Sequence, residues 1–168
     1  DLALTWVELD AWSARLAGAW AGLVPRGGRI GLVLPNGLAH LLCELAAWRL
    51  NAVAVPIAAG LGVARVQALL TSTAVCLVIT DDPALVPAGM TRLTAAAVIA
   101  LAQSSGATAL RPSHPDDPCL MLMTSGSTGM PRRVLLSQRN LCSQQAAFAA
   151  LWPDIGPGDR LASYLPWH

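Results

Sequence analysis

This chain predicts an α/β fold, a layered sheet of parallel βαβ units flanked by helices, and three observations carry that expectation. Short unbroken apolar runs at residues 29–34, 53–57 and 75–80 have the composition of strands buried on both faces. Between them lie segments with apolar residues at every third or fourth position, the period of an amphipathic helix. Gly, Pro and Asn punctuate the junctions, at residues 25–28, 35–37 and 51. Strands alternating with helices join through right-handed crossovers into a parallel sheet covered on both sides.

Taken in order, Thr5-Trp6-Val7-Glu8 has capping-box spacing, with a hydroxyl and a carboxylate placed to satisfy the first free N–H groups of a helix. Leu9, Trp12, Leu16, Trp20 and Leu23 then recur at helical period, predicting a helix that stops before Pro25 and packs its tryptophans in the core. The strand over 29–34 is broken by Pro35-Asn36-Gly37, and a helix follows over 38–50, with His40 on its surface and Glu44 at the edge of the core. A strand over 53–57, a helix over 63–72 and a strand over 75–80 complete the regular part. Past Asp81 the pattern weakens. Pro83, Pro87 and Gly89 mark a loop, residues 94–103 predict a small helix, and residues 112–118 form a proline-rich connector. Prolines on both sides of His114, Asp116 and Asp117 favour an extended linker over a metal site. Two buried strands, 119–123 and 134–137, then flank a polar loop. They are followed by a helix over 139–151 with Leu141, Gln145, Phe148 and Trp152 on one face, a turn at 156–160 and a strand over 161–165.

Composition narrows the class. A chain of 168 residues with 54% hydrophobic residues and a net charge of +1 can bury an ordinary domain core and has no basic surplus for nucleic acid. All 11 basic residues are arginine. Mean hydropathy is +0.51, yet the run at 41–48 contains Glu44 and the run at 95–102 is far shorter than the roughly 20 residues that span a bilayer. The expectation is no transmembrane segment and no secretory signal. Cys43, Cys76, Cys119 and Cys142 each sit in an apolar segment without close pairing, which reads as reduced, buried thiols and a cytoplasmic location.

The chemistry concentrates in Thr124-Ser125-Gly126-Ser127-Thr128-Gly129-Met130-Pro131-Arg132-Arg133. Glycines free the backbone to turn N–H groups inward, hydroxyls add donors, and arginine adds positive charge, so the loop suits a phosphate guest. A polar surface loop is the competing reading. The spacing is neither that of the Walker loop, which needs lysine, nor that of the three-glycine dinucleotide fingerprint.

TSGSTGMPRR followed by VLLSQRNL resembles the phosphate loop of the adenylate-forming superfamily, which includes acyl- and aryl-CoA ligases, peptide-synthetase adenylation domains and luciferases. Thr124 to Gly129 and Pro131 match the family pattern, whereas Arg132 stands in place of its lysine, Arg133 in place of its glycine and Gln138 in place of a frequent histidine. The first exchange keeps the charge and replaces a point charge with a planar fork. "LPNG" at residues 34–37 and "AVAVPI" at 52–57 resemble the opening of the same fold.

The resemblance implies that residues 1–168 are the N-terminal portion of an adenylate-forming large domain, with the phosphate loop at 124–132 and the C-terminal lid absent. It implies ATP-dependent activation of a carboxylic acid, fatty or other organic, to an acyl-adenylate, then thioester formation with CoA or the phosphopantetheine of an acyl or peptidyl carrier protein. Thr124, Ser125, Gly126, Ser127, Thr128, Gly129 and Arg132 would bind the ATP phosphates. His168 would lie near the substrate carboxylate, and Mg2+ would bridge the phosphates through ligands outside this chain. The chain alone is expected not to adenylate. Two other readings stay open: a non-catalytic nucleotide-binding relative with a degenerate phosphate loop, and a plain α/β structural module.

Overall fold

The computed structural model describes residues 3–124, 132–156 and 158–160, together with Ser163, Leu165 and Trp167. Eleven elements follow in chain order: α1 (Trp6–Trp20), β1 (Arg29–Leu32), α2 (Leu38–Arg49), β2 (Val53–Pro56), α3 (Val63–Ser72), β3 (Leu77–Ile79), β4 (Arg92–Leu93), α4 (Ala95–Ser104), β5 (Pro118–Thr124), β6 (Arg132–Ser137) and α5 (Gln138–Leu151). The expected α/β architecture is present. β1, β2, β3, β4 and β5 pair in parallel and β6 joins antiparallel to β5, giving one sheet in the order β4-β3-β1-β2-β5-β6.

Side-chain caps explain the starts of α1, α4 and α5. Glu8 N donates to Thr5 Oγ1 at 3.2 Å while Thr5 N donates to Glu8 Oε2 at 2.7 Å, completing the predicted capping box of α1. The bonds its carboxylate accepts from Thr5 N and from the Thr5 hydroxyl, the latter at 2.8 Å, hold the Glu8 carboxyl below the usual carboxylate range. Thr94 caps α4 through Ala97 N at 3.1 Å. Ser137 and Asn140 form a second capping box at α5.

The sheet separates two apolar clusters. On one face Leu16, Trp20, Leu42, Ala46 and Val98 of α1, α2 and α4 pack on Ile30, Leu32 and Ala54. On the other, Val66 and Leu70 of α3 pack on Val53, Val55, Val78 and Met121. Gly31 points toward α3, where an added Cβ would lie 2.5 Å from Leu70 Cδ2, so the missing side chain sets how closely that helix sits. No helix among the described residues is long and apolar enough to cross a membrane.

Several expectations change with packing. α1 ends at Trp20 and Leu23 is 51% exposed, because the chain turns away before Leu23 can join the buried stripe. His40, expected on a helix surface, is 1% exposed, since α2 is covered on more than one side. Cys43 and Cys119 are buried and Cys76 is partly so, but Cys142 is exposed on α5, and all four are free. Burial pushes the Cys43 thiol up and raises that of Cys119 to about 11.

The expected buried strand at 134–137 is also corrected. β6 is an edge strand, with Val134 40% and Leu135 48% exposed, since nothing described lies beyond it. α5 buries none of its residues; Phe148 stacks on Trp152 at 5.1 Å in the open. β4 was not anticipated, two residues being too few for any period to register. The strand expected over 161–165 falls mostly outside the described residues, and Ser163 and Leu165 are not in a strand.

Candidate functional site

Parallel strands bring their carboxyl ends to one edge of the sheet, and the chemistry-bearing loops leave from that edge. β5 ends there at Thr124, and β6 begins at Arg132 directly opposite, in the register Met123↔Arg133 and Thr124↔Arg132. The phosphate-loop candidate is therefore the connection of an antiparallel hairpin, longer than a tight turn requires. Its mouth is drawn together by the Thr124 hydroxyl, which donates to the Arg132 carbonyl at 3.4 Å. Ser125, Gly126, Ser127, Thr128 and Gly129 lie outside the described residues, as does His168.

Strand alternation gives the two arginines different faces. Leu120 packs with the α1, α2 and α4 side, and Thr124, two alternations further along, shares that face with its partner Arg132. Arg133 lies opposite Met123, which packs with the α3 side. Both guanidinium groups are exposed. The large residue at 133 is thus accommodated in the ladder, on the face opposite Arg132.

A polar junction fixes the other end of β5. Asp117 accepts from Asn51 Nδ2 at 2.8 Å, from Arg26 Nη2 at 3.2 Å and from His114 N at 2.7 Å. The backbone bond from His114 and the Asn51 amide hold its carboxyl below the usual range. Asp116 is lowered by the hydrogen bonds it accepts from Arg139, at 2.8 Å and 3.2 Å, and these tie the connector to α5. Asn51 adopts φ 50°, where asparagine is tolerated, and its buried amide also reaches Pro112 O at 3.2 Å. His114, Asp116 and Asp117, read from sequence as part of an extended linker, anchor the strand that presents the loop.

Sequence reasoning missed the β1–α2 corner. Asn36 Nδ2 donates to Leu165 O at 2.6 Å, and Trp167 N donates to Asn36 Oδ1 at 3.0 Å. The ring of His40 meets Trp167 edge-on, with centroids 5.4 Å apart and planes at 83°. Among the described residues neither ring nitrogen of the buried His40 has a hydrogen-bond partner, although Glu44 Oε1 lies 3.6 Å from Nε2. The sequence signals here were the turn composition of Pro35-Asn36-Gly37 and the resemblance of "LPNG" at 34–37 to the opening of the family fold, and neither pointed to a contact with residues 165–167.

Comparison with known proteins agrees with this geometry. The family model described as AMP-binding enzyme matches residues 1–168. A feruloyl-CoA synthase from an Amycolatopsis species is 36% identical over 143 residues, covering 83% of this chain and 29% of the relative. The nonribosomal peptide synthetase gliP of Aspergillus fumigatus is 31% identical over 169 residues, 96% of this chain and 8% of the relative. Among solved structures, the o-succinylbenzoate CoA synthetase MenE of Bacillus subtilis, in complex with the acyl-adenylate intermediate OSB-AMP, superposes with a TM-score of 0.85 at 22% identity, covering 99% of this chain and 44% of that one. The chain spans less than half of each of these proteins. With the family model matched from end to end and the hairpin loop at the carboxyl edge of the sheet, the chain belongs to the AMP-binding enzyme family.

Proposed function

We propose that this chain supplies the phosphate-gripping portion of an acid–thiol ligase, which activates a carboxylic acid with ATP and passes the acyl group to a thiol. The observation that carries the reading is the β5–β6 hairpin. It is closed at its mouth by Thr124 and Arg132 and emerges at the carboxyl edge, in a chain that matches the family over its whole length.

In the first step a carboxylate oxygen attacks the α-phosphorus of ATP, the bond to the β-phosphate bridging oxygen breaks, and pyrophosphate leaves with its negative charge. The difficulty is electrostatic, because an anion approaches a polyanion and charge builds on the leaving group. Thr124, Ser125, Ser127 and Thr128, with the N–H groups around Gly126 and Gly129, hold the β- and γ-phosphate oxygens, and Arg132 neutralises charge on them. The thiol of CoA or of a carrier pantetheine then displaces AMP from the acyl carbon. His168 is the residue this reading assigns to the substrate carboxylate.

Magnesium accompanies the triphosphate in this reading. Among the described residues no group of three or more His, Cys, Asp or Glu gathers to hold a metal, and no step is assigned to one. Residues 1–168 form the N-terminal portion of a larger catalytic domain, act in the cytoplasm, and do not sustain adenylation alone. The names of the relatives leave both a CoA acceptor and a carrier-protein acceptor open.

The test is carboxylate-dependent ATP–pyrophosphate exchange by the full-length protein, with ferulate and dodecanoate as probe acids and ATP binding measured by calorimetry. Hydrogen bonds to charged acceptors are worth about 1.5–3 kcal/mol, so Thr128→Ala should lower exchange about 10- to 150-fold. Arg132→Lys should retain exchange. ATP binding without exchange would point to a non-catalytic relative; absence of ATP binding would overturn the reading.

A further inference from the structure

We infer that Asn36 is a positioning residue for acid activation: its amide clamps the segment that carries Trp167 and His168 against the β1–α2 corner, beside the hairpin mouth. This inference rests on the ligase reading for its chemical consequence and on geometry alone for the clamp.

The contact is two-ended. One amide group donates to Leu165 O at 2.6 Å and accepts from Trp167 N at 3.0 Å, so it satisfies a backbone acceptor and a backbone donor two residues apart, as a neighbouring strand would. It bridges positions 129 and 131 residues apart in the chain. Two donor–acceptor pairs on a planar amide fix the orientation of the segment as well as its distance, which a single bond cannot do.

The indole is held from two further sides. Trp167 Nε1 donates to Ser163 Oγ at 2.8 Å, and the buried His40 ring stands edge-on to it. His40 lies in the first turn of α2, four residues after Asn36, so loop and helix act on the same segment.

Topology places this clamp on the same edge of the sheet as the hairpin mouth. β1 and β5 flank β2, and two interstrand spacings set the β1 and β5 ends about 10 Å apart along the edge. α2 lies on the sheet face that Thr124 and Arg132 share by alternation. The clamp on Trp167 therefore lies on the same side of the sheet as the hairpin mouth, about two interstrand spacings from it along the edge. Precise placement of reacting partners is where such sites gain much of their rate.

The experiment uses the full-length protein and its Asn36→Ala and Asn36→Asp variants. Hydrogen–deuterium exchange of the peptide spanning 163–168 reads the clamp directly. Asn36→Ala should speed uptake there at least tenfold, while Asn36→Asp, which keeps an acceptor for the Trp167 N–H and loses the donor, should fall between. Steady-state exchange with ferulate or dodecanoate reads the consequence: the specificity constant for the acid should drop tenfold or more in Asn36→Ala, with KM for ATP within twofold of wild type. Unchanged uptake in Asn36→Ala would overturn the clamp. Equal losses toward acid and ATP, accompanied by a lowered melting temperature, would reduce it to a structural contact. A wild-type protein that protects this peptide but never exchanges pyrophosphate would instead overturn the ligase reading, leaving the clamp upheld by uptake.

Discussion

Gly31 and Leu70 offer a decisive test of how α3 is seated on the sheet. A methyl at residue 31 would lie 2.5 Å from Leu70 Cδ2 and 3.5 Å from Val75 Cγ1, against an ordinary carbon contact of about 3.5–4.0 Å. Leu70 is fully buried, so its side chain cannot swing into solvent to relieve the overlap of about 1 Å. Overpacking of this kind costs about 1–3 kcal/mol for Gly31→Ala. Leu70→Ala removes the obstacle and leaves a cavity, at about 2–5 kcal/mol. Together the two changes should cost less than their sum by about 1–2 kcal/mol, because the new methyl fills part of the vacated space. The sign of this coupling separates steric contact from a general weakness of β1. Urea unfolding followed by circular dichroism, with the four proteins of the cycle compared, measures it. Strict additivity within about 0.5 kcal/mol, the behaviour of independent sites, would refute the packing argument.

Four other outcomes are expected. Gly18→Ala should destabilise at least as much as Gly31→Ala, since its Cβ would meet the backbone oxygen of Gly106 at 2.0 Å and a carbonyl cannot change rotamer; thermal melts decide. The lowered carboxyls of Asp116 and Asp117 stabilise the folded chain above the ordinary carboxylate pKa, and that contribution is lost as pH falls through their depressed folded values. Asp117→Asn should therefore be less stable than wild type at neutral pH, with the gap closing as pH drops below about 4; a gap that is constant with pH would contradict this. Among the four thiols of this chain, Cys142 should react quickly with an aromatic disulfide reagent in the native state, while Cys43 and Cys119 react only after unfolding, as peptide mapping of the adducts would show. Thr5→Ala removes the hydroxyl half of the α1 capping box and should cost about 1 kcal/mol by urea titration.

Much of the architecture was legible because it is written in local periods. The helix over 63–72 and the capping of α1 by Thr5 and Glu8 follow from residues within one or two turns of each other, and the structure agrees with both. β4 was missed because a two-residue edge strand owes its existence to the neighbour it pairs with rather than to its own pattern. For the candidate site, Thr124 was read from the loop's composition and Arg132 was singled out by the resemblance of TSGSTGMPRR to the family pattern, and the structure adds that they face one another across a hairpin. Asn36 was read as a turn residue within a family-like "LPNG" stretch, with no role beyond that. Its partners lie more than a hundred residues away, at Leu165 and Trp167, and no periodicity reports on such a separation.

By itself, then, the order of amino acids determined the alternation of strand and helix, the helix starts and the chemistry of the glycine- and hydroxyl-bearing loop, since each depends on neighbours along the backbone. Only the tertiary structure decided that β6 turns back antiparallel to lie exposed at an edge, that His40 is enclosed while Cys142 is not, and that Asn36 grips the segment leading to His168. Burial and long-range hydrogen bonds are properties of what packs against a residue, and the sheet's order brings those partners together from distant parts of the chain.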